Sequence, residues 1–105
     1  MGKVHFSDLT IDLDLLNEYL IIEKIILFGN MKADARDIDL LIVSDDFQDM
    51  YAKKRKDFIY KGLTALKKID VLCLTNRQYE KMVSVENEFN KNLFRKGVIV
   101  YEREN

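Results

Sequence analysis

Two short apolar runs, Lys24–Phe28 (KIILF) and Asp37–Val43 (DIDLLIV), are separated by only eight residues. Both are rich in β-branched and aliphatic residues, and the first is closed by Gly29, so each reads as a strand. Eight residues cannot hold the helix of a parallel crossover, and the two strands are therefore expected to be antiparallel neighbours. Around them the pattern alternates. Thr10–Ile22 carries Ile11, Leu15, Tyr19 and Ile22 at helical spacing, with Thr10 or Asp12 available as a cap. Ser44-Asp45-Asp46 suits a helix start. Phe47–Lys67 then reads as one long helix with Tyr51, Phe58, Ile59, Leu63 and Leu66 on a face, and Gly62 there would allow close packing against a sheet. Ile69–Leu74 (IDVLCL) is a third strand. Thr75 and Gln78 match a capping box that opens a helix bearing Tyr79, Met82 and Val83. Ser84 begins a further helix with Val85, Phe89, Leu93 and Phe94, stopped by Lys96-Gly97 with the glycine in the left-handed conformation. Val98–Tyr101 is a last short strand. The order predicts an α/β domain, a small mixed sheet with helices packed against it.

Composition narrows the function classes. The 105 residues are the length of one domain, with no repeat, linker or low-complexity stretch to divide residues 1–105. Apolar residues at 48% are enough for a core, which separates the chain from disordered sequences. A net charge of −1 excludes a generally basic nucleic-acid binder but leaves room for a local basic patch. Cys73 stands alone, so no internal disulfide can form, and no zinc-ligand spacing appears. No signal peptide is visible and the apolar runs fall far short of a membrane span, so a cytoplasmic location away from membranes is expected. His5, ahead of the first helix, receives no role.

Three features can carry chemistry. In Asp37-Ile38-Asp39, side chains two apart on a strand share a face, so both carboxylates point one way. Paired carboxylates resist joint ionisation unless a cation lies between them, and such oxygen ligands suit Mg²⁺; equally, Asp is simply soluble at a turn-to-strand junction. Asp70, inside the apolar Ile69–Leu74 run, is costly to bury without a partner. It is either an edge-strand charge that discourages aggregation or, if its strand lies beside Asp37–Val43, a third carboxylate of the same site. Gly29 followed by Asn30 closes a strand where backbone can approach a phosphate, or forms an ordinary turn.

Taken in order, Ile25-Ile26-Leu27-Phe28-Gly29-Asn30, Asp37-Ile38-Asp39-Leu40-Leu41-Ile42-Val43 and Ile69-Asp70-Val71 form an ordered set. With the closing Arg95–Glu102 segment, this set resembles the minimal nucleotidyltransferases of the DNA polymerase β superfamily, the small domains related to kanamycin nucleotidyltransferase. The resemblance implies a polymerase β-like fold and a Mg²⁺-dependent enzyme, using two ions, that moves a nucleoside monophosphate from a nucleoside triphosphate (NTP) such as ATP to an acceptor hydroxyl and releases pyrophosphate. Asp37, Asp39 and Asp70 would be the metal ligands and catalytic carboxylates. Gly29 and Asn30 would lie against the nucleotide's phosphates, Asn30 at a position where the family usually has Ser. Members are often paired with a separate helical protein of the HEPN type. Six residues separate Asn30 from Asp37, fewer than the family normally has. The alternative is therefore a binding protein of the same fold, such as an antitoxin that holds a helical partner.

Two surfaces have open readings. Lys53-Lys54-Arg55-Lys56 is either a contact for nucleic acid or an acidic partner, or a solvated turn, since four consecutive positions cannot form one helix face. Val98–Tyr101 is either a sheet edge available to a second copy, making a homo-oligomer, or an edge protected by Glu102, Arg103 and Glu104.

Overall fold

The computed structural model describes residues 2–6, 8–29 and 36–104; Asn30 and positions 31–35, including most of the loop before Asp37, lie outside them. The central sheet is built as expected. Strands β3 (Lys24–Phe28) and β4 (Asp37–Val43) pair antiparallel, with Phe28 opposite Asp39 and Lys24 opposite Val43. Strand β6 (Lys68–Leu74) lies parallel to β4, and β7 (Val98–Glu102) pairs antiparallel with β3. The order β6-β4-β3-β7 makes a mixed four-stranded sheet whose edges are β6 and β7.

Both faces of β4 are buried, as its apolar run of Leu40 to Val43 requires. On one face Ile25, Leu27, Leu40, Ile42, Val71 and Cys73 join Leu13 and Leu16 of helix α1 (Leu13–Tyr19), Leu20 at its C-cap and Ile59 of helix α2 (Ala52–Tyr60). On the other, Ile26, Leu41 and Val43 pack with Leu93 and Met82, which belong to helices α4 (Glu88–Lys96) and α3 (Asn76–Val83). The result is a compact α/β domain with a radius of gyration of 13.2 Å.

Four expectations need correction. Residues 3–12 form a hairpin, β1 (Lys3–Phe6) with β2 (Leu9–Asp12), and Leu63–Thr64 (β5) adds to its edge as a second, three-stranded sheet. Helix α1 accordingly begins at Leu13, with the Asp12 carboxylate accepting from the Leu15 amide at 3.1 Å. Its buried residues are Leu13 and Leu16, with Leu20 buried at its C-cap, while Tyr19 is half exposed. The Leu-Asp-Leu-Leu run offers apolar side chains in several directions, and packing against the sheet chose among them. His5 sits in β1, its Nδ1 3.0 Å from the Thr10 hydroxyl.

The long helix from Phe47 to Lys67 is broken. Ser44 caps a single 3₁₀ turn (Asp45–Phe47), the chain passes Asp49 in a left-handed conformation, and α2 spans only Ala52–Tyr60. Leu66 is 95% exposed and Tyr51 69% exposed, so neither shares the buried face with Ile59. Gly62 does make a close approach, but to α1: a Cβ there would come within 2.7 Å of the Leu16 side chain. Ser84 ends α3 rather than opening a helix. The chain restarts at Asn87, whose side chain accepts from the Asn90 amide, and the buried Asn90 side chain donates to the carbonyls of Met82 and Val85. Gly97 does stop α4, yet with φ −69°. A Cβ there would strike the Leu93 carbonyl and crowd Ile26, so close packing rather than a left-handed turn requires glycine at this position.

Candidate functional site

Two groups of acidic residues lie at opposite ends of β4. At its far end, Asp45 accepts from the Asn76 amide at 3.0 Å and Asp46 from the Ile21 amide at 2.6 Å. These carboxylates tie neighbouring segments to the sheet and are structural.

At the near end the arrangement is different. The parallel register sets Asp39 opposite Asp70 and Asp37 opposite Lys68. Register partners project to the same face, and so do residues two apart on a strand. Asp37, Asp39 and Asp70 therefore share one face, the same as Leu41 and Val43, which is the face covered by α3 and α4. Asp39 is central: burial raises its pKa above the ordinary carboxylate value, and the neighbouring charges of Asp70 and then Asp37 raise it further. Lys68 lies 3.6 Å from Asp70, but its side chain is largely exposed and that of Asp70 half exposed, so the pair is weak.

Gly29 completes the site from β3. It has φ +77°, a conformation that L side chains rarely adopt, and a Cβ there would collide with the Asp39 carboxylate. The bare backbone of residue 29 thus abuts a carboxylate oxygen. Asn30, the other expected phosphate contact, is outside the described residues. Alongside runs a cleft of ≈490 Å³, bounded by Phe28, Gly29 and Asp39 on the sheet and by Phe89, Asn92, Leu93 and Lys96 on α4. Phe28 and Phe89 meet edge to face, with ring centroids 5.8 Å apart.

Compared with models of known families, with characterised proteins and with solved structures, the chain matches none. Among the described residues, no three His, Cys, Asp or Glu side chains are grouped closely enough to hold a metal ion by themselves. The carboxylates of Asp37, Asp39 and Asp70 are of the donor type that Mg²⁺ takes. Its ligands are oxygens only, and this ion takes one or two carboxylates and completes its shell with water and phosphate oxygens rather than a closed protein cage.

Other candidates resolve differently. Arg55 in the basic cluster points inward, donating to the carbonyls of Met50 and Cys73 and to the Gln78 side chain at 2.8–3.0 Å, and Lys53 pairs with Asp57. Burial pushes the Cys73 thiol up to about 12, against the opposing charges of Arg55 and Lys56. It is a core side chain, unreactive at neutral pH. The α4 side of the cleft was not foreseen. Its only trace in the sequence is the spacing of Phe89, Asn92, Leu93 and Lys96 at one helix face. No helix among the described residues is long and apolar enough to cross a membrane.

Proposed function

We propose that this chain has a polymerase β-like fold and acts as a Mg²⁺-dependent nucleotidyltransferase, joining a nucleoside monophosphate from an NTP to an acceptor hydroxyl. The observation that carries the proposal is the register: Asp39 and Asp70 are partners across β4 and β6, with Asp37 on the same face and the bare backbone of Gly29 beside them. Three carboxylates on one face, with only the weak Lys68–Asp70 ion pair among the described residues to offset them, form a site short of positive charge. Asp37, Asp39 and Asp70 would hold the metal, which when bound supplies charge neutralisation at the phosphates.

In the reaction the acceptor oxygen bonds to the α-phosphorus as the bond from that phosphorus to the β-bridging oxygen breaks, and pyrophosphate leaves. Asp70, half-buried and opposite Asp39 across the strand pair, would accept the hydroxyl proton. Gly29 lets the Asp39 carboxylate lie against bare backbone, where any side chain would displace it.

Calorimetric titration with ATP and the other NTPs, with and without Mg²⁺, tests the proposal. Metal-dependent binding that Asp37→Asn abolishes is the expected result. A folded protein that binds no NTP overturns it.

One observation favours a second reading. The six residues between Asn30 and Asp37 leave little chain to enclose a triphosphate. A catalytically weak member of the same fold would then serve as a binding protein, such as an antitoxin that holds a helical partner of the HEPN type. Copurification from the native host of a small all-helical protein, together with no turnover of any NTP, would favour it.

A further inference from the structure

The cleft beside the carboxylates has two unlike walls. The sheet contributes Asp39 and the Gly29 backbone; α4 contributes an aromatic ring, an amide and an ammonium group. Positions 89, 92, 93 and 96 follow three- and four-residue spacing and so lie along one face of α4. Leu93 anchors that face, 3% exposed against Ile26 and Leu41. The other three are exposed to the cleft. Phe89 leaves 47% of its surface in solvent while it meets Phe28 edge to face, an uneconomical placement for a ring that serves packing alone. Among the described residues, the side chains of Asn92 and Lys96 make no hydrogen bond or ion pair. A ring face, an amide and a cation thus stand together opposite a carboxylate.

A ligand matching this wall needs a flat aromatic part and an anionic part within one span. Resting on the nucleotidyl-transfer reading above, we infer that α4 is the nucleotide-gripping wall of the site, with Lys96 neutralising the phosphates, Phe89 stacking on the base and Asn92 hydrogen-bonding between them. The sheet and α4 then divide the work: the carboxylates handle the reacting end, and α4 sets affinity and position. A lysine is suited to the role, because an ammonium group binds phosphate as a point charge without demanding one geometry.

The two halves of this assignment separate experimentally. The full chain is titrated with ATP, GTP and inorganic tripolyphosphate, each with Mg²⁺. Lys96→Met is expected to weaken ATP and tripolyphosphate alike, by about fivefold or more, and Lys96→Arg to retain most of the affinity. Phe89→Ala is expected to weaken ATP and GTP about tenfold while leaving tripolyphosphate unchanged, as loss of base stacking alone would do. Phe89→Leu, which keeps the apolar contact with Phe28, should show the same selectivity if the ring face is what binds, and circular dichroism confirms that each variant is folded. ATP affinity unchanged in both Lys96→Met and Phe89→Leu overturns the inference. If Asp37→Asn nevertheless abolishes binding, the inference alone falls and the transferase proposal stands. If the wild-type protein binds none of the three probes, both fall.

Discussion

Asp39 is the residue at which the cost of the site is concentrated. Because its folded-state pKa is raised, the folded protein holds a proton at this carboxyl more tightly than the unfolded chain does, so ionisation costs stability as pH rises through the carboxylate range. Like charges opposite one another on neighbouring strands are destabilising. Asp39→Asn is therefore expected to stabilise the protein at pH 7 by about 0.5 kcal/mol, and to flatten the dependence of its melting temperature on pH between the acid range and neutrality. Thermal unfolding at several pH values checks both. A variant that melts below the wild type at pH 7 would mean that Asp39 has a stabilising partner in the folded state. Gly29 makes the converse case. Gly29→Ala forces a side chain into a left-handed conformation and against the Asp39 carboxylate, and should cost about 1–2 kcal/mol in urea unfolding. Asp37 and Asp39 were legible from their spacing alone, since alternation along a strand fixes a shared face. Pairing Asp70 with them needed the register, which local sequence does not encode.

Among the elements, legibility followed the strength of the local signal. The β3–β4 pair, β6, β7 and the Thr75–Gln78 capping box were all readable, the last confirmed by reciprocal bonds of 3.0 and 3.1 Å. Strand β2 was not. Its alternation of buried Leu9 and Ile11 covers four residues, too few to outweigh the helical pattern that follows. The break after Phe47 was hidden for another reason: Phe47, Ile59 and Leu63 do pack inward, but from three separate elements, so their spacing imitates one helix. Arg55 was misleading as part of a run of four cations. It joins α2 to the carbonyl of Cys73 on β6 and to Gln78 on α3, and its guanidinium stands 5.8 Å from the centre of the Phe47 ring. Arg55→Ala should destabilise by about 2 kcal/mol through those lost charge-assisted bonds. Arg55→Lys should recover little, since an ammonium group cannot reach the same fork of acceptors. Urea denaturation of both variants decides it, and near-wild-type stability in the lysine variant would show that charge alone matters there.

For the molecule as a whole, the central sheet separates two cores of unequal size. The larger, under α1 and α2, holds Phe47 with no exposed surface. Phe47→Ala should cost about 3–5 kcal/mol, a large share of the roughly 5–15 kcal/mol that holds a domain folded, and leave the variant close to unfolding in a thermal melt. A small effect would imply that the surrounding turn collapses into the gap. The smaller core, between the sheet and α3 and α4, sits on the face that carries the carboxylates. The parallel pairing of β4 with β6 has a consequence for how this protein becomes competent. Every partnered position on the two strands differs by 31 in number, as 68 does from 37 and 70 from 39. A slip of one residue would turn the side chains of β6 over and set Ile69 or Val71 against Asp39. A misaligned chain can therefore be compact, keep Asp37 and Asp39 on one face of β4, and still lack Asp70 beside them. Assembly of the site and arrival at the correct strand alignment are a single event, and any assay of the carboxylates doubles as a census of correctly folded molecules.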